Sequence, residues 1–125
     1  MDKKTILIVD DEIEMVEMET MRLKASGYEV LAAYDANSGM QKARESKPDL
    51  VILDIMLPQM DGYLVCATLK RDPKCKKIPI ILVSALDEKY DTDLGKNVGA
   101  DFYFTKPFEP AVLLAKIREL MRNKA

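Results

Sequence analysis

Four unbroken apolar runs punctuate the chain: ILIV at 6 to 9, LVIL at 50 to 53, IPIILV at 78 to 83 and FYF at 102 to 104. A strand with one wet face alternates polar and apolar residues. A run without that alternation predicts a strand covered on both faces, as in a parallel sheet between helices. A fifth run, YEVLAAY (28 to 34), is more mixed and suits a sheet edge. The intervals read as helices. Residues 12 to 26 offer two competing stripes, Met15, Met18, Met21 and Ala25 against Ile13, Val16 and Leu23, and Gly27 closes the segment. Residues 36 to 46 carry Ala36, Met40 and Ala43 at helical spacing, and residues 62 to 71 carry Val65, Cys66 and Leu69. The last helix opens on Glu109 and Pro110 and bears Leu113, Leu114, Ile117, Leu120 and Met121. Residues 87 to 97 are mostly polar with Gly95 inside, so this helix is expected to be the least firmly anchored, with Gly95 and Gly99 allowing it to shift. Five strand-helix units in strict alternation predict an α/β fold, a doubly wound parallel sheet with helices on both faces.

The 125 residues form about one domain, with 48% hydrophobic and 32% charged residues, a folded and soluble composition. A net charge of -2 gives no global field for nucleic acid or an anionic membrane, so direct DNA binding by this segment is not expected. The first apolar run is too short for a signal-peptide core or a membrane span, which points to the cytoplasm. Cys66 and Cys75 lack the paired spacing of a zinc site; Cys66 reads as a small core residue and Cys75 as a loop residue. The absence of histidine removes Ser-His-Asp and Cys-His catalysis, most zinc chemistry and any role as a phosphohistidine donor. The eight methionines, without histidine beside them, read as core filler.

Ligands of open α/β sheets gather at the carboxyl ends of the strands. There the runs deliver Asp10, Asp11 and Glu12, then Asp54, then Ser84 and Ala85, then Thr105, Lys106 and Pro107. Converging carboxylates repel, so they require shared protons or a cation. Hard oxygen ligands without imidazole or thiolate point to Mg²⁺. A carboxylate beside Mg²⁺, a lysine and a hydroxyl is equipment for phosphoryl transfer. Asp54 stands alone at its strand end and is the best nucleophile, whereas Asp10 and Asp11 form a pair suited to metal. Each residue has a plainer reading: helix capping for Asp10, Asp11 and Ser84, turn chemistry before Pro58 and Asp61-Gly62 for Asp54, an ordinary surface lysine for Lys106. Their convergence on one edge favours the chemical reading.

Taken together, ILIVDDE, VILDIMLPQMDG, IILVSA and GADFYFTKPF resemble the receiver domains of two-component response regulators, and the resemblance covers essentially residues 1 to 125 as one receiver domain. It implies a flavodoxin-like, five-stranded sheet of order 2-1-3-4-5. By position, Asp54 is similar to the phosphoacceptor that takes a phosphoryl group from a histidine kinase or histidine phosphotransfer protein. Asp11, Asp54 and the Met56 carbonyl would hold Mg²⁺, with Asp10 acting through water. Lys106 would pair with Asp54 or the phosphoryl oxygens, which the Met56 and Ala85 amides would also contact. Ser84 and Tyr103 match the switch positions that bias the face of the fourth helix, fifth strand and fifth helix toward an output domain or effector. Met56 and Leu86, apolar where some receivers carry polar side chains, imply slow self-dephosphorylation. Phe102 replaces an acid common in winged-helix regulators, so the expected state is a monomer or a phosphorylation-dependent dimer not built on that salt bridge. Three competing readings fit less well. A haloacid-dehalogenase-like phosphohydrolase wants an acid at Met56, an FMN carrier would set its phosphate against Asp10 and Asp11, and a docking module has no use for an intact Asp54, Ser84 and Lys106.

Overall fold

The computed structural model describes residues 3–85 and 90–122. In chain order the elements are β1 (Thr5–Val9), α1 (Ile13–Ala25), β2 (Glu29–Ala33), α2 (Ala36–Ser46), β3 (Leu50–Asp54), β4 (Met56–Leu57), β5 (Met60–Asp61), α3 (Gly62–Arg71), β6 (Ile80–Ala85), α4 (Thr92–Asn97), β7 (Phe102–Lys106) and α5 (Pro110–Arg122). The five long strands are parallel and lie in the order β2-β1-β3-β6-β7. Setting aside the small antiparallel hairpin of β4 and β5, this is the flavodoxin-like order 2-1-3-4-5.

Alternate side chains divide the core. Leu7, Val9, Val51, Leu53, Ile80 and Leu82 meet Met40 and Ala43 of α2 and Val65, Cys66 and Leu69 of α3 on one face. Ile6, Ile8, Leu50, Ile52, Ile81 and Val83 meet Val16 and Leu23 of α1 and Leu113 and Ile117 of α5 on the other. Every residue of β3 is buried, so the strand that ends in Asp54 is held from both sides. Burying each such Leu or Ile stabilises by roughly 1.5–3 kcal/mol relative to exposure.

The structure differs from the sequence pattern in four places. The FYF run is not covered on both faces: β7 is the second sheet edge, and Phe102 and Tyr103 are exposed. The stripe of α1 resolves to Val16 and Leu23, leaving Ile13, Met18 and Met21 in solvent, while Glu19 is buried against Arg22 at 2.8 Å. Cys75 does lie in a loop, but is buried against the core. Of the helix expected over 87 to 97, α4 occupies Thr92–Asn97, Asp91 caps it by accepting from the Leu94 amide at 3.0 Å, and residues 87 to 89 lie outside the described residues. Among the described residues, no helix is long and apolar enough to cross a membrane.

Candidate phosphoacceptor and cation site

The parallel sheet brings one edge of four elements together. Asp10 follows β1, Asp54 ends β3, Ser84 and Ala85 end β6, and Lys106 ends β7. Register fixes them: Asp54 pairs with Val83, one residue before Ser84, and Ala85 pairs with Lys106. Asp10, Asp54, Ser84 and Lys106 are all buried.

The Lys106 ammonium stands among three acids, 2.7 Å from Glu12 Oε1, 2.9 Å from Asp10 Oδ2 and 3.0 Å from Asp54 Oδ2. The second oxygens of the two aspartates are anchored by backbone. The Met56 amide donates to Asp54 Oδ1 at 2.9 Å, and the Glu12 amide donates to Asp10 Oδ1 at 3.0 Å. Ligand oxygens of Asp10, Glu12 and Asp54 lie within 4.8 Å of one another, a group that could hold a metal ion. Close approach is secured by Gly62 at the start of α3: a Cβ there would stand 2.2 Å from the Asp54 carbonyl oxygen. Its role is packing of helix on strand end, which the Asp-Gly turn signature in the sequence did not reveal.

Burial pushes the Asp10 carboxyl up to about 6, against the Glu12 amide and the Lys106 hydrogen bond, and the neighbouring Asp54 adds to the rise. Burial alone would lower the Lys106 ammonium, but its hydrogen bonds to Glu12 and Asp10 and the Asp10 charge outweigh that and raise it, with Asp54 contributing. Three acids facing one firmly protonated lysine leave excess negative charge in a partly dehydrated pocket, the condition that recruits a cation. Ser84 presents the opposite anomaly: its Oγ is buried with no hydrogen-bond partner among the described residues. An unsatisfied buried hydroxyl costs about 1–3 kcal/mol.

Of the residues read from the sequence, Asp10, Asp54 and Lys106 are in direct contact. Asp11 is exposed and is not among the three acids whose ligand oxygens lie within 4.8 Å of one another. Glu12, noted in the sequence only as a third acid after β1, joins that group; its position beside an obvious acidic pair was the signal. The Met56 amide is engaged by Asp54 while its side chain is exposed, and Ala85 lies at the strand end beside Lys106. Tyr103 is half-exposed and stacks in parallel on Tyr90, ring centroids 3.7 Å apart, and Tyr90 in turn meets Tyr63 at 5.9 Å. Phe102 lies under the Lys116 ammonium, 4.1 Å from the ring centroid. Leu86 lies outside the described residues.

A flavodoxin-like sheet with an acidic edge cluster and a lysine anchored in it is the arrangement that the resemblance to two-component signalling domains implies. Within that class the chain belongs to the response regulator receiver domain family, whose model matches residues 6–118. It is 43% identical over 120 residues to the alkaline phosphatase synthesis transcriptional regulatory protein PhoP of Bacillus subtilis, covering 96% of this chain and 49% of that protein. It is 40% identical over 119 residues to the response regulator PleD of Caulobacter vibrioides, covering 95% of this chain and 26% of that protein. The chain thus spans about half the length of the first relative and about a quarter of the second. Among solved structures, a response regulator from Chloroflexus aurantiacus superposes with a TM-score of 0.91 at 33% identity, covering 98% of this chain and 100% of that one. The chemotaxis response regulator CheY4 of Vibrio cholerae gives 0.87 at 29% identity, covering 95% and 99%.

Proposed function

We propose that this domain accepts a phosphoryl group on Asp54 from the phosphohistidine of a histidine kinase or histidine phosphotransfer protein, with Mg²⁺, and acts in the cytoplasm as a phosphorylation-controlled switch. The observation that carries this reading is the Asp54 carboxylate itself, buried at a strand end with one oxygen on the Met56 amide and the other on Lys106.

The site fits Mg²⁺. Its donors are hard carboxylate oxygens without a soft ligand, and an ammonium already stands among them. Asp11, Asp54 and the Met56 carbonyl would hold the ion, with Asp10 acting through water. When bound, Mg²⁺ supplies charge neutralisation to the phosphoryl oxygens. The chain's own groups do the rest. An Asp54 oxygen forms the O–P bond as the donor's N–P bond breaks, and the electron pair stays on the imidazole nitrogen. Lys106 and the Met56 and Ala85 amides donate to the equatorial oxygens. Ser84, whose hydroxyl has no partner among the described residues, turns to the same group. Tyr103 then leaves its stack on Tyr90 for the space Ser84 vacates, which alters the face formed by α4, β7 and α5. That face would meet an output domain, an effector protein or a second copy formed on phosphorylation. Apolar Met56, exposed beside the site, and Leu86 offer no polar group to position a hydrolytic water, so the phosphoprotein should be long-lived.

The test is the intact mass after incubation with acetyl phosphate. A single phosphoryl adduct is expected with Mg²⁺ and none after chelation or in Asp54→Asn; an adduct that survives in Asp54→Asn overturns the assignment.

A further inference from the structure

We propose that Glu12 is the exchangeable partner of Lys106: it holds the ammonium while Asp54 is free and releases it when phosphoryl oxygens arrive, and so slows phosphoryl acceptance. This inference rests on the phosphoacceptor reading of Asp54 given above.

A lysine ammonium has three donors and no acceptor. All three are committed here, to Asp10, Glu12 and Asp54. Lys106 therefore meets a phosphoryl oxygen only after one contact opens. Asp10 and Asp54 are poor candidates for release. Their side chains are each 4% exposed: an Asp10 carboxylate abandoned there would be buried beside like charge, and Asp54 keeps its carboxylate charge, and with it its hold on the ammonium, until its O–P bond forms. Glu12 is 58% exposed at the side chain, so its freed carboxylate is simply rehydrated. Nothing else holds it. Among the described residues Lys106 is the one hydrogen-bond partner of that carboxylate, and although Glu12 is the N-cap residue of α1, its side chain makes no capping bond.

The consequence is kinetic. With acetyl phosphate as donor, the Asp54 O–P bond forms, the P–O bond to acetate breaks, and acetate leaves with the electron pair; no proton transfer is required. Opening the Glu12 contact adds to the barrier of that step. Exposed ion pairs are worth ~0.2–1 kcal/mol, so removing the Glu12 charge should accelerate transfer about 1.4- to 5-fold once the cation site is saturated. Glu12 is a positioning residue, acting through Lys106.

The test compares Glu12→Gln and Glu12→Ala with the wild-type chain. Phosphorylation is followed by intact mass at saturating Mg²⁺, Mg²⁺ binding without donor by calorimetry, and exchange of the Lys106 ammonium hydrogens by nitrogen NMR in chelator. Melting temperatures check folding. The expected result is faster phosphorylation and faster ammonium exchange in both variants. An unchanged rate overturns the proposal. So does a lower rate with weakened Mg²⁺ binding, which would make Glu12 a holder of the cation. A wild type that forms no adduct overturns both this inference and the reading beneath it, whereas an Asp54 adduct with unaltered variant rates overturns this inference alone.

Discussion

Gly62 illustrates how a single missing methyl group positions chemistry. Its amide donates to the Ile55 carbonyl at 2.8 Å, and the first turn of α3 lies directly on the Asp54 carbonyl. In Gly62→Ala the new Cβ meets backbone, which cannot swing aside. We expect a loss of about 1–3 kcal/mol in urea denaturation, as for other overpacked sites, and slower Asp54 phosphorylation at saturating Mg²⁺. Cys66 makes a second prediction at the same scale. Burial pushes its thiol up to about 12 from an ordinary 9.0. Its folded value lies above its unfolded value, so the contribution is intact below pH 9 and is lost as pH rises toward 12. At pH 10 the loss is about 1 kcal/mol from this group. Denaturation of Cys66→Ala should show a correspondingly smaller drop between neutral pH and pH 10, and the native thiol should resist alkylation at neutral pH.

The same closeness operates between elements at α4. Gly95 suggested a helix free to shift, yet it is buried, and a Cβ there would stand 1.9 Å from the Tyr90 hydroxyl. The glycine is a notch that seats Tyr90, whose ring then stacks on Tyr103 of β7. Sequence alone gave no sign of this: the pattern sets Tyr90 inside a helix over 87 to 97 on no apolar stripe, whereas it lies just before α4. Two effects oppose each other in Gly95→Ala. Helix propensity favours alanine by about 1 kcal/mol, while the clash displaces Tyr90 and breaks a stack worth ~0.5–1.5 kcal/mol beyond its buried area. The two nearly cancel, so the substitution should lie within about 0.5 kcal/mol of neutral in the wild type but be stabilising by about 1 kcal/mol in Tyr90→Ala. A double-mutant cycle by urea denaturation, with near-ultraviolet circular dichroism to follow the tyrosine stack, checks the difference between the two backgrounds.

At the scale of the whole molecule, the parallel sheet is what turns scattered acids into a site. Its parallel strands and two helical layers were legible because strands covered on both faces leave unbroken apolar runs such as LVIL, and the site because chemistry in such sheets collects at one edge, whereas the strand order came from the family resemblance. What was illegible is geometry that depends on side-chain reach: that Glu12, and not exposed Asp11, meets Lys106, and that Phe102 and Tyr103 of the aromatic run are exposed. The edge cluster also has a thermodynamic consequence for the entire fold. Three carboxylates share one ammonium across β1, β3 and β7, so the strand ends that pack the core also carry the repulsion. A cation bound only by the native state stabilises by RT ln(1 + [L]/Kd), about 1.4 kcal/mol at tenfold excess over Kd. Mg²⁺ should accordingly raise the melting temperature by a few degrees, and a chelator should reverse the rise. In Asp54→Asn the metal-free protein loses one repelling charge while the cation loses one ligand, so the Mg²⁺-dependent rise should shrink. Scanning calorimetry of the two chains with and without Mg²⁺ checks this; an equal rise in both would mean that the ion binds away from Asp54.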